Sequence, residues 1–174
     1  MPIEGVAPVV GPAVYGRLRP LGPGKESTTG HWELMGVVPV AALPTYPDGF
    51  PDDVVRALEA ATRRRFCCNR PYSGTEVIEA FGRHHLETGE LILYTSADSV
   101  LQIAAHVDIL SEPELYAVCS AAREVMTGEH AVGRVIARPF EGSPGSFRRT
   151  EGRHDYALLP PSRSYLDELR AAGA

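Results

Sequence analysis

The stretch from Ser111 to Arg138 restricts the possible folds more than any other, because two different periods follow one another within it. Ser111-Glu112-Pro113-Glu114 has the spacing of a capping box, and Leu115, Val118, Cys119, Ala122, Val125 and Met126 form a stripe at helical spacing that Gly128 is expected to end. From Val132 to Arg138 the period drops to two, so Arg134, Ile136 and Arg138 share one face of a strand. A helix leading into a half-polar strand needs a sheet to pack on, which points to an α+β chain.

The remaining segments extend that pattern. Pro51-Asp52-Asp53 opens a helix with Val54, Val55, Leu58 and Ala61 on one side and its acidic residues in the first turn, where the helix dipole favours them. Phe66 to Asn69 reads as a short strand. Ser73-Gly74-Thr75-Glu76 is a second capping box, before a helix expected to run to about Glu87 and stop at Gly89. Leu91 to Thr95 and Ser99 to His106, joined by a turn at Ala97-Asp98, read as a hairpin. Ala13 to Leu18 is a plausible strand, Val37 to Val40 an extended hinge strand, and Ser162 or Ser164 caps a last helix carrying Tyr165, Leu166 and Leu169. These elements predict an α+β layer in which helices cover one face of a mostly antiparallel sheet.

Charge and cysteine usage narrow the function. A net charge of −5 over 174 residues argues against non-specific nucleic-acid binding. Cys67, Cys68 and Cys119 form no Cys-x-x-Cys pair, so neither a disulfide framework nor a zinc knuckle is implied, and no two of the six histidines have the i, i+4 spacing of a helical zinc site. The first residues lack a basic region followed by a long apolar run, and no segment is long and apolar enough to span a membrane, so a cytoplasmic location is expected.

Gly24-Lys25-Glu26-Ser27-Thr28-Thr29-Gly30-His31-Trp32-Glu33 is the densest concentration of reactive groups. A glycine-opened loop entering a helix at Ser27 or Thr28 presents free backbone N–H groups to an anion, and Lys25 adds a mobile positive charge. The segment resembles the phosphoacceptor loop of the phosphopentomutases, members of the alkaline-phosphatase superfamily. Four further segments resemble that family in the same order: Cys68 to Ile78, Tyr94 to His106, Gly133 to Phe140, and Arg153-His154-Asp155-Tyr156. Departures from the family's pattern are Glu26 and Ser27, where it has Asp and Thr.

The resemblance implies an inserted cap domain over residues 41–160, a partial core segment with the phosphoacceptor loop over 1–40, and a C-terminal helix over 161–174. It implies Ser27 in the place of the phosphoacceptor with Lys25 beside it, and Ser96, Asp98, Val100, Arg134, Ile136 and Arg149 around a pentose phosphate. The family's two manganese ions are held by aspartates and histidines outside the matching stretch. This chain alone is therefore expected to hold no metal and to need a partner chain or the rest of a longer protein for mutase turnover, while an exposed N-terminal strand and an incomplete core favour self-association into a homo-oligomer. Two alternatives are a stand-alone pentose-phosphate-binding module or subunit, and a metal-independent enzyme on a sugar phosphate or nucleoside.

Overall fold

The structure is a computed structural model that describes residues 11, 16–24 and 26–173. Its elements in chain order are α1 (Ser27–Leu34), α2 (Asp52–Thr62), β1 (Phe66–Pro71), α3 (Glu76–Thr88), β2 (Leu91–Thr95), β3 (Val100–His106), α4 (Glu112–Val125), β4 (Arg134–Glu141), β5 (Arg148–Arg149), β6 (His154–Ala157) and α5 (Tyr165–Ala171). One six-stranded sheet runs in the order β1-β2-β3-β4, and β5 and β6 share the outer edge of β4, pairing with its C-terminal and N-terminal parts respectively.

The α+β class holds, with two refinements. Of the five pairings, β2–β3, β4–β5 and β4–β6 are antiparallel, but β1–β2 and β3–β4 are parallel. Each parallel pair is joined by a helix, since parallel neighbours need a crossover rather than a turn: α3 links β1 to β2, and α4 links β3 to β4. The hairpin between β2 and β3 reverses the strand direction between the two units. Crossovers of one hand built on strands running opposite ways place their helices on opposite faces.

The helices accordingly cover both faces rather than one. On the first, Leu58 of α2 and Leu115, Cys119 and Ala122 of α4 bury against Leu93, Leu101, Ile103, Val135 and Ala137. On the second, Val77 and Ile78 of α3 pack on Ile92, Tyr94, Ala104 and Phe140. Every residue of β2 is buried because both of its faces are covered. Each fully buried leucine or isoleucine contributes about 1.5–3 kcal/mol relative to exposure. The second face is left without a helix over the start of β3 and β4.

The caps and turns behave largely as their residues dictate. Ser111 and Glu114 close the capping box of α4, and Ser73 and Glu76 hydrogen-bond at 2.7 Å ahead of α3, which ends on Gly89 in the left-handed conformation (φ 75°). Ser164 caps α5. Gly128 does not end α4, which stops at Val125; it begins a 3₁₀ turn instead. Val37 to Val40, the expected hinge strand, form no strand, because their backbone runs outside the sheet. The expected strand at Ala13 falls on residues 13–15, outside the described residues, and Gly16 to Leu18 are irregular.

One close approach fixes the entrance to the sheet. A register shift in β1 puts Asn69 at φ 49°, from where its side chain accepts from Phe50 N at 2.8 Å and donates to Phe50 O at 2.9 Å. Gly49, at φ 93°, lies directly over this clasp, and a Cβ there would collide with the Asn69 carbonyl oxygen. Gly49→Ala combines that collision with an unfavourable φ, so it is expected to destabilise the chain by about 2 kcal/mol or more. Chemical denaturation of the two forms measures the difference.

Candidate functional site

The uncovered part of the second face forms a cleft of about 350 Å³. Its floor is built by strand alternation. Val100 and Gln102 of β3 and Arg134, Ile136 and Arg138 of β4 point the same way, while Leu101, Val135 and Ala137 between them point into the core. One wall is the β2–β3 turn, with Ser96 and Asp98; another is the approach to α3, with Tyr72, Ser73 and Gly74. Ser27, at the first turn of α1, and Arg153, just before β6, complete the lining.

Of the residues expected from the sequence, Ser27, Ser96, Asp98, Val100, Arg134 and Ile136 line this one cleft. Arg149 does not; with Arg138, Pro139, Thr150, Glu151 and Arg153 it lines an adjoining hollow. Lys25 lies outside the described residues.

Arg134 organises the charges. Its guanidinium lies 3.5 Å from Glu26, 3.8 Å from Asp98 and 3.7 Å from Asp155, so α1, the β2–β3 turn and β6 meet on one side chain of β4. Asp155 also takes both nitrogens of the Arg153 fork at 2.6 Å, which raises the Arg153 pKa above its ordinary value. Arg138 donates to the Gln102 amide oxygen at 3.1 Å, and burial lowers its pKa. Two buried polar atoms, the Tyr94 hydroxyl and Arg134 Nε, have no hydrogen-bond partner among the described residues. Buried donors in that condition are uncommon and mark a place where an acceptor oxygen is favoured. Burial raises the Tyr94 pKa, against the opposing pull of Arg138, Arg149 and Arg153, so the phenol stays a donor. The absence of a Cβ at Gly74 lets the Tyr94 hydroxyl and Arg149 come close to its α-carbon.

The N-terminus of α1 differs from the sequence expectation in one respect. Its leading N–H groups are not free: the Glu26 carboxylate curls back to accept from Thr28 N at 2.6 Å and Thr29 N at 3.1 Å. The chain thus supplies its own anion to that helix end and couples it to Arg134.

Comparison with known proteins bears on what such a cleft does. The phosphopentomutase of Carboxydothermus hydrogenoformans is 52% identical over 159 residues, which is 91% of this chain and 41% of that protein. The phosphopentomutase of Lachnoclostridium phytofermentans is 52% identical over 165 residues, 95% of this chain and 42% of that protein. That of Caldanaerobacter subterraneus is 48% identical over 176 residues, 99% and 44% respectively. Over nearly its whole length the chain is similar to phosphopentomutases. It spans about two-fifths of the length of these relatives. No family profile matches it.

The similarity makes a bound metal the next question. Glu26, Asp98 and Asp155 are each turned to the Arg134 guanidinium, and among the described residues the ligand atoms of these carboxylates do not come together as a metal-holding group. These residues do not fit the manganese pair that the resemblance implies. Gln102, Arg138 and Arg153 join the site without having been singled out for it. Gln102 and Arg138 were accessible by two-residue alternation from Val100 and Arg134, whereas Arg153 depends on how the loop after β5 folds back. No helix among the described residues is long and apolar enough to cross a membrane.

Glu26 gives this arrangement a local readout. Glu26→Ala removes the cap of α1 at a cost of about 1 kcal/mol, so the amides of Thr28 and Thr29 are expected to exchange with solvent roughly fivefold faster while β2 and β3 keep their protection. Hydrogen exchange resolved by residue tests this.

Proposed function

We propose that this chain is the substrate-gripping part of phosphopentomutase-type chemistry, taking ribose or deoxyribose 1- or 5-phosphate, with Ser27 in the phosphoacceptor place. The observation that carries this reading is the convergence of Ser27, Asp98 and Arg134 from three separate elements on one cleft, in a chain about half identical to phosphopentomutases. A pentose phosphate needs guanidinium forks for its phosphate oxygens and carboxylates for its sugar hydroxyls. Arg138 and Arg153 offer the first, and Asp98 and Ser96 the second. Lys25 is the further cation beside Ser27 in this proposal, and Val100, Ile136 and Arg149 complete the grip.

The chain by itself binds rather than turns over. Moving a phosphoryl group onto or off Ser27 requires neutralisation of the charge that builds on the transferring oxygens, usually by metal ions. Of the cleft's guanidiniums, Arg134 is already shared among three carboxylates and Arg153 is paired with Asp155. Mutase activity then belongs to an assembly in which a partner chain or further sequence supplies a manganese-binding core. The alternative of a stand-alone binding module is favoured by one observation: Glu26 already occupies the N–H groups of α1 that a phosphate would otherwise use.

Calorimetric titration with ribose 5-phosphate tests the shared claim. The chain is expected to bind without manganese, Asp98→Ala to weaken binding by roughly 10–100-fold through loss of a charge-assisted hydrogen bond, and Ser27→Ala to change it less than about twofold. An absence of binding at millimolar ligand, with and without manganese, overturns the reading. Conversion of ribose 1-phosphate to ribose 5-phosphate by the purified chain with manganese would overturn the division between binding and turnover.

A further inference from the structure

At the far end of α3 from the cleft, three side chains of different elements meet: Cys67 of β1, His84 of α3 and Glu90 of the turn into β2. The thiol sulfur, an imidazole nitrogen and a carboxylate oxygen all lie within 4.8 Å of one another, and His84 Nε2 is 2.8 Å from Glu90 Oε2. From these positions we infer that Cys67, His84 and Glu90 form a zinc site, separate from the sugar-phosphate cleft.

Zinc bonds of about 2.3 Å to sulfur and about 2.0–2.2 Å to nitrogen and oxygen place neighbouring tetrahedral ligands roughly 3.3–3.8 Å apart, close to the separations already present here. The backbones that carry the ligands are already fixed. Phe66 and Cys67 are in register with Leu91 and Ile92, and Leu91 N donates to Arg65 O at 2.9 Å. The Glu90 carbonyl accepts from the buried His85 ring at 2.7 Å, and Gly89 ends α3 between the ligand helix and the ligand turn. A thiolate with an imidazole and one carboxylate suits zinc rather than magnesium, calcium or manganese, which prefer all-oxygen sets.

The exchange balances simply. The Cys67 thiol loses its proton to solvent as the sulfur–zinc bond forms, and the His84–Glu90 hydrogen bond opens as the imidazole proton moves to Nδ1 and both groups turn to the ion. One negative charge each from Cys67 and Glu90 neutralises the dication. Burial, with Glu90 and Cys68 nearby, pushes the Cys67 thiol up to about 12. His84 is half exposed, which leaves a fourth position open to water. The ion would clip the edge strand β1 to the end of α3, the helix whose other end borders the cleft.

The test uses the tag-free full chain. Titration with zinc alone is expected to show one site per chain and to raise the melting temperature. Cobalt in its place is expected to give the near-ultraviolet thiolate charge-transfer band and the visible bands of a tetrahedral ion, and both should persist in Cys68→Ser/Cys119→Ser, where Cys67 is the sole thiol. His84→Ala and Glu90→Gln are each expected to weaken zinc binding by at least roughly tenfold. A missing charge-transfer band in the variant with Cys67 alone, or zinc affinity unchanged by either ligand substitution, overturns the site. Ribose 5-phosphate binding is independent of these outcomes.

Discussion

Arg134 is the side chain on which the arrangement of the cleft depends. It stands on β4 in the parallel register that pairs it with Val100, and its guanidinium reaches carboxylates from α1, from the β2–β3 turn and from β6. None of these three is joined to β4 by neighbouring sequence. The ion pairs are long, but Arg134 and Glu26 are largely shielded from water, their side chains 18% and 7% exposed, so each charge needs the other. A neutral residue at position 134 would leave the Glu26 carboxylate buried beside the N-terminus of α1 with only helix N–H groups and the Thr28 hydroxyl to hold it. The position of Ser27 is therefore set from 107 residues away in sequence, by the strand that forms the floor opposite it.

The cleft lies where it does because of handedness. Two strand–helix–strand units are joined through an antiparallel hairpin, so their crossovers fall on opposite faces. α3 covers β1 and β2 on the second face, α4 covers β3 and β4 on the first, and α2 fills the remaining space beside α4. The second face over the start of β3 and β4 is left uncovered. Alternation along β3 and β4 then sorts the residues: apolar ones enter the core, and Gln102, Arg134 and Arg138 face the gap. The same chain segment serves stability on odd positions and recognition on even ones, with no loop required to carry the binding groups of the floor.

Much of this was legible before folding. The caps at Ser111 and Ser164 and the stop at Gly89 are local events, governed by hydrogen bonds within a few residues, and the sequence predicts them at the right positions, whereas α3 starts from Thr75 with Ser73 bonded to Glu76 just ahead of it. Local signals do not decide which face a helix covers. The order strand, helix, strand on either side of the β2–β3 hairpin did contain the sign of two parallel pairs, since a helical crossover is what such a pair requires. The self-capping of α1 was hidden for a different reason: a carboxylate before a helix attracts either an external ligand or its own amides, and only the Glu26 rotamer distinguishes them. Cys67, His84 and Glu90 escape every spacing rule, because a strand, a helix and a turn bring them together.

The charges around the cleft are also ordered along its length. Glu26, Asp98 and Asp155 crowd Arg134 at the start of β4, next to Ser27. Four residues further on, about 13 Å along the strand, Arg138 has only the neutral Gln102 as a hydrogen-bond partner, and Arg149 forms no ion pair among the described residues. A dianion entering this field is drawn toward Arg138 and Arg149, where no carboxylate must first be displaced, and is repelled from the acidic end. A sugar hydroxyl has the opposite preference, because the exposed Asp98 carboxylate accepts hydrogen bonds. In the proposed role, a pentose monophosphate therefore lies with its phosphate toward Arg138 and a free hydroxyl toward Ser27, which is the orientation needed for a phosphoryl group on that serine to meet an acceptor oxygen.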